Sequence, residues 1–134
     1  MSAKPIRVKQ IDHISIVVKD LEASRRFYVD VLGMEPAPRP NFSFDGLWFQ
    51  AGSTLVHLIL EHPESGPADR DQPLHLQVSR TRHVAFEVDN ALEAKVRLDE
   101  LGIPIASGPK SRPDGPIQLT IFDPDNNLVE LFSY

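Results

Sequence analysis

Apolar residues in this chain alternate in some stretches and recur at helical spacing in others, and this sequence of rhythms occurs twice. Residues 11–18 are β-branched and bounded by polar positions. That predicts a strand with His13, Ser15 and Val17 on one face and Ile14, Ile16 and Val18 on the other. Asp20 offers an N-cap. Leu21, Ser24, Tyr28, Val31 and Leu32 then form one stripe at helical spacing, with Phe27 at its margin. Gly33 suits the position that closes a helix, and Pro36 lies just beyond it. A proline-rich loop follows, then a short strand at 42–44, a strand at 46–50, a turn at Gly52-Ser53 and a strand at 54–61. Residues 62–73 are polar and rich in Pro, Gly and Asp, as expected of a linker. Residues 74–78 read as an extra strand or an extended arm.

The same grammar then returns. Residues 82–88 predict a strand with His83, Ala85 and Glu87 on one face. Asn90 caps a helix, with Glu93 three residues on as in a capping box. Ala91, Ala94, Leu98 and Leu101 form its buried side, and Gly102 and Pro104 end it. Strands at 117–122 and 128–132 are joined by the turn Asp123-Pro124-Asp125-Asn126-Asn127.

Direct alignment of the copies shows a duplication. His13 and His83 stand 70 residues apart in matching strands. Phe-Gln-Ala-Gly-Ser-Thr-Leu-Val-His-Leu-Ile, from Phe49, matches Phe-Asp-Pro-Asp-Asn-Asn-Leu-Val-Glu-Leu-Phe, from Phe122, at an offset of 73 that places His57 against Glu130. The predicted fold is α+β: one domain over residues 1–134, built of two βαβββ modules with mixed sheets, at 11–61 and 80–133, joined by a linker at 62–79.

Each helix needs a sheet face on which to bury its stripe. The continuous aliphatic sets suit that face: Ile14, Ile16 and Val18; Val56, Leu58 and Leu60; Val84, Phe86 and Val88. The opposite face then carries His13, His57, His83 and Glu130. Ser15 and Ala85 beside them are small and leave room for a bound molecule, which makes Ser15 a candidate substrate contact. Pseudo-twofold pairing of the halves would bring the four side chains to one point as metal ligands. Three imidazoles and a carboxylate suit a divalent first-row metal such as Zn, Ni, Fe, Mn or Co. His62 and His75, in the linker, read as solvated. Lys110, Arg112 and Asp114 lie in a Pro/Gly loop.

Composition narrows the partners. The net charge of −5 argues against nucleic acid or an anionic membrane as the main partner. There is no cysteine, so neither a disulfide nor a thiolate ligand is available. No apolar run approaches the roughly 18 residues a transmembrane helix needs. Residues 1–10 lack an apolar signal core, which makes the cytoplasm the default location.

Asp12-His13-Ile14, Tyr28 through Leu32-Gly33, Arg82-His83-Val84-Ala85-Phe86 and Asp123-Pro124-Asp125 leading into Val129-Glu130-Leu131 together resemble the vicinal oxygen chelate superfamily of glyoxalases, bleomycin- and fosfomycin-resistance proteins, methylmalonyl-CoA epimerase and extradiol dioxygenases. The resemblance implies paired modules around a metal-lined cavity, a homodimer, and a small-molecule substrate chelated through adjacent oxygens. It assigns His13, His57, His83 and Glu130 as ligands. It also makes Glu130 the catalytic proton shuttle of a glyoxalase-like lyase or isomerase, with Glu87 and Tyr28 as auxiliary acid or base. Two positions depart from the family pattern: His57, where bacterial glyoxalase I has Glu, and Asn126, where Gly is usual. The resemblance leaves three alternatives. They are an Fe(II) dioxygenase using His13, His83 and Glu130; a fosfomycin-type enzyme with Arg39 or Arg112 binding substrate; and a metal-free binding protein.

Overall fold

The computed structural model describes residues 4–68 and 80–134. The first module contains strand β1 (His13–Val18), helix α1 (Leu21–Arg25) continuing into a π-helical turn (Arg26–Val31), and strands β2 (Glu35–Ala37), β3 (Gly46–Ala51) and β4 (Thr54–Leu60). The second contains β5 (Val84–Glu87), α2 (Ala91–Glu100), β6 (Ser107–Ser111), β7 (Ile117–Phe122) and β8 (Leu128–Ser133). Their sheets have the same order, β1-β4-β3-β2 and β5-β8-β7-β6. In each, the first strand pairs in parallel with the last and the others pair antiparallel. This is the expected α+β architecture of two βαβββ modules.

Both helices begin and end where the sequence predicts. Asp20 accepts a hydrogen bond from the Ala23 N–H, and Asn90 accepts one from the Glu93 N–H, each at 3.0 Å. At the end of α2, Gly102 takes φ +71°. Its N–H donates to the Asp99 carbonyl at 3.1 Å and that of Ile103 to the Leu98 carbonyl at 2.9 Å, the Schellman pattern. Ile103 rather than Leu101 turns back onto the core. Leu101, expected on the buried side, sits at the cap and is exposed. In the first module Gly33 takes φ +75°. Its N–H reaches Val29, and that of Met34 reaches Tyr28, both at 3.0 Å and each one residue further back than in α2. This wider turn lets neighbours Phe27 and Tyr28 both enter the core.

Residues 42–44 hold a bend at Ser43-Phe44, not the expected strand. The β2 and β6 strands, not individually foreseen, complete the sheets. Residues 74–78 lie outside the described residues.

The aliphatic face of each sheet is the helix-covered one. Val18, Val56 and Leu58 from the first module join Leu119, Ile121, Val129 and Leu131 from the second in a single core. Each open face therefore lies on the side of its sheet away from that core. A polar lock ties the modules together. Tyr28, fully buried, donates to Asp123 Oδ2 at 2.7 Å. Asp125 Oδ1 accepts from the Lys19 N–H at 3.1 Å. Asp123 is itself held by the Asp125 and Asn127 N–H groups at 2.9 and 2.8 Å. Asn126 supplies the positive φ of 63° that this turn needs.

Candidate metal and substrate site

Strand register places the candidate residues in matching rows. Across the first sheet, Ser15, His57, Trp48 and Ala37 face the same way. Across the second, Ala85, Glu130, Thr120 and Ser107 do so. His57 and Glu130 are thus equivalent in three dimensions as well as in sequence. Paired residues on neighbouring strands share a face, which is why the repeat survives folding.

In the second module His83 Nε2 lies 3.5 Å from Glu130 Oε1, and the Glu130 side chain is 8% exposed. His83 Nδ1 is 2.7 Å from the Thr81 carbonyl oxygen, which can only accept. Nδ1 therefore carries a hydrogen, and in the neutral ring Nε2 presents a lone pair. A lone pair and a carboxylate oxygen facing each other at that distance repel unless positive charge lies between them. A divalent ion or a proton on Nε2 meets that need. His13 is prepared in the same way, with Nδ1 2.7 Å from Asp12 Oδ2. Both histidines thus have Nδ1 held by a local acceptor, which leaves the Nε2 side of the ring to meet a ligand.

The other pair is arranged differently. His57 is sandwiched between His13, with ring centres 4.0 Å apart and planes 12° apart, and Trp48, at 3.9 Å and 1°. Imidazole lone pairs lie in the ring plane. Nearly parallel stacked rings therefore cannot both point at one ion about 2.0–2.1 Å away. As placed, His13 can offer Nε2 while His57 lines the cavity. His57 Nε2 is buried and has no hydrogen-bond partner among the described residues. Burial, reinforced by His13 and by Arg39 and opposed by Asp12, holds His57 below its ordinary pKa of 6.5.

Within one chain the four predicted ligands form two separate pairs. Among the described residues no group of three or more His, Cys, Asp or Glu is placed to hold a metal. Ser15 lies exposed beside His57, on the open face. Arg112 pairs with Asp114 at 3.0 and 2.6 Å and lies 5.9 Å from the Phe132 ring centre, at the rim of the second open face. Glu87 is exposed opposite Phe132. Tyr28 is spent on the buried lock. Burial first, then the Asp123 charge, pushes its hydroxyl well above the ordinary value of 10.0, so it is no auxiliary base. His62, in a turn bridged to Gly66, accepts from the Glu64 N–H at 3.2 Å. His75 lies outside the described residues.

Sequence reasoning missed the contribution of Trp48 and gave Arg39 only passing notice. Both line a cavity of about 390 Å³ over the first open face, with Asp12, His13, Phe42, Phe44 and His57.

Comparison with known proteins gives a consistent picture. Residues 10–131 match the family described as Glyoxalase/Bleomycin resistance protein/Dioxygenase superfamily. The chain is 24% identical to "Glyoxylase I 4" of Arabidopsis thaliana, over 97% of this chain and 74% of that protein. It is 31% identical to the mitochondrial methylmalonyl-CoA epimerase of Bos taurus, over 73% of this chain and 57% of that protein, so it spans little more than half the epimerase's length. A glyoxalase family protein structure from Bacillus anthracis superposes with a TM-score of 0.75 at 27% identity, covering 97% of this chain and 98% of that one.

Proposed function

The chain belongs to the Glyoxalase/Bleomycin resistance protein/Dioxygenase superfamily, and we propose that within it the chain is a metal-dependent lyase or isomerase acting on a small substrate with two adjacent oxygens. The observation that carries this reading is the facing pair of acceptors, His83 Nε2 and Glu130 Oε1, at 3.5 Å. Ion ligands about 2.0–2.2 Å from a shared centre sit at about this separation. One histidine and one carboxylate are too few ligands, and His13 is the complementary group.

Each open face is turned from the shared core, so the full set assembles when the first open face of one copy meets the second open face of another. The proposed protein is therefore a homodimer, with His13 from one chain and His83 and Glu130 from the other at each site. His57 joins the ligands only by leaving its stack. A metal bound there would supply Lewis acidity to two adjacent substrate oxygens. This chain's own contribution is a fixed tautomer at His13 and His83 and a nearly buried carboxylate. Glu130 holds or moves the proton on the carbon beside the polarised oxygen. An epimerase among the relatives agrees with an isomerase reading.

Calorimetric titration of chelator-treated protein with Zn(II), Ni(II) and Co(II), with sedimentation to give the mass, tests the proposal. Expected are a dimer and metal binding that weakens at least tenfold in His83→Ala. Unchanged affinity in that variant sinks the site. Absence of binding assigns the positive charge to a proton on His83 and the protein to the metal-free binders of the family.

A further inference from the structure

The two open faces have diverged in chemistry. The second carries an acid and hydroxyls: Glu130, Thr120 and Ser107, with Ser107 Oγ 2.6 Å from Thr120 Oγ1. The first carries a run of flat rings, His13, His57 and Trp48, each stacked on the next. It continues through Phe42, whose ring centre is 6.1 Å from Trp48 and 5.2 Å from Phe44.

Arg39 is built into this face. Its guanidinium lies 5.0 Å from the ring centres of both Phe42 and Phe44. It donates to the Phe44 carbonyl at 2.7 Å. Gly46 stands on the open face opposite Ile59, and Arg39 occupies the space a side chain would fill there. A Cβ at Gly46 would sit 3.1 Å from Arg39 Nε. The guanidinium is thus packed against both rings, with most of its N–H donors unspent. Among the described residues Arg39 has no ion pair. Arg112, by contrast, is neutralised by Asp114. A half-buried arginine, held rigid and without a carboxylate, is arranged to receive one.

We propose that this aromatic cup binds the body of the substrate, a flat aromatic ring bearing a carboxylate, with the ring against Trp48 and Phe42 and the carboxylate on Arg39. His57 lines the same cavity with its Nε2 buried in the stack, and the second oxygen, next to the carboxylate, is the one the proposed reaction requires. The ligand class is an aromatic acid with a neighbouring carbonyl or hydroxyl oxygen. The cavity of about 390 Å³ admits one ring and its head group. This ligand class is the substrate of the proposed lyase or isomerase. It rests on that reading for the reaction but not for binding, which needs no metal.

The test is calorimetry on chelator-treated protein with three probes: phenylglyoxylate, pyruvate (the same head group without the ring) and acetophenone (the ring without the charge). Emission from Trp48, the sole tryptophan, reports whether binding occurs at the cup. Phenylglyoxylate is expected to bind at least tenfold more tightly than either of the others and to change that emission. Arg39→Gln should weaken phenylglyoxylate at least tenfold and leave acetophenone within a factor of two. Equal affinity for phenylglyoxylate and pyruvate overturns the proposal, as does binding that leaves Trp48 emission unchanged. The probe ranking on the unaltered protein decides the matter even if the variant does not fold. Failed metal binding with the ranking intact rejects the catalytic reading alone.

Discussion

The Tyr28 hydroxyl donates a 2.7 Å hydrogen bond to Asp123, 95 residues away, and so fastens the helix of one module to the turn of the other. Both groups are buried. Tyr28→Phe removes a bond to a charged acceptor that keeps its other donors, Asn127 and the Asp125 N–H. The expected cost is about 1.5–3 kcal/mol of stability, measured by urea denaturation. A change below about 0.5 kcal/mol would mean that the other donors suffice.

Two glycines separate steric from conformational cost. At Gly46 an added Cβ would lie 2.2 Å from the Leu58 carbonyl oxygen, within the paired strands. Gly46→Ala is expected to cost on the order of 3 kcal/mol or more, since β3 and β4 must part. Gly102 has φ +71° with nothing near its Cβ position. Gly102→Ala therefore meets only backbone strain, about 1 kcal/mol. Equal losses in thermal unfolding would contradict this distinction.

The stacked Trp48–His57 pair reports protonation. The folded state depresses the His57 pKa, so the unfolded chain takes up that proton more readily. This contribution to stability is present above the ordinary value of 6.5 and is lost as pH falls below it. Trp48 emission should drop on acidification, with a midpoint below 6.5, as an imidazolium forms against the indole. His57→Gln should abolish the transition; a transition that persists in this variant belongs to another group.

His57 also tests the repeat. Replacing it by the residue at its counterpart, His57→Glu, gives both modules a carboxylate next to a first-strand histidine. Metal affinity should be kept or raised, and the Trp48 stack should be lost. Calorimetry and near-ultraviolet circular dichroism read the two effects separately. Failure to fold would mark His57 as a packing residue.

Much of the fold is legible from neighbours in sequence. Alternation assigned Ile14, Ile16 and Val18 to the core side and His13 and Ser15 to the open side because a strand has a period of two. Asp20, Asn90, Gly33 and Gly102 announced helix ends because capping acts within a turn or two of the chain. The bend at Ser43-Phe44 was misread as a strand because Phe42 and Phe44 are apolar, yet they serve to hold Arg39. Leu101 was misplaced because the helix stops one residue short of it and Ile103 returns to the core.

The sequence by itself determined that two copies of one module exist, which face of each sheet is apolar, and which side chains share the other face. These follow from residue type and spacing, which act over a few positions. Tertiary structure alone decided that Tyr28 and Asp123 meet, that His57 is stacked rather than aimed with His13, and that the four candidate ligands stand as two pairs within a chain. Those outcomes depend on how two finished surfaces pack and on ring orientation, and neither is encoded in a periodicity.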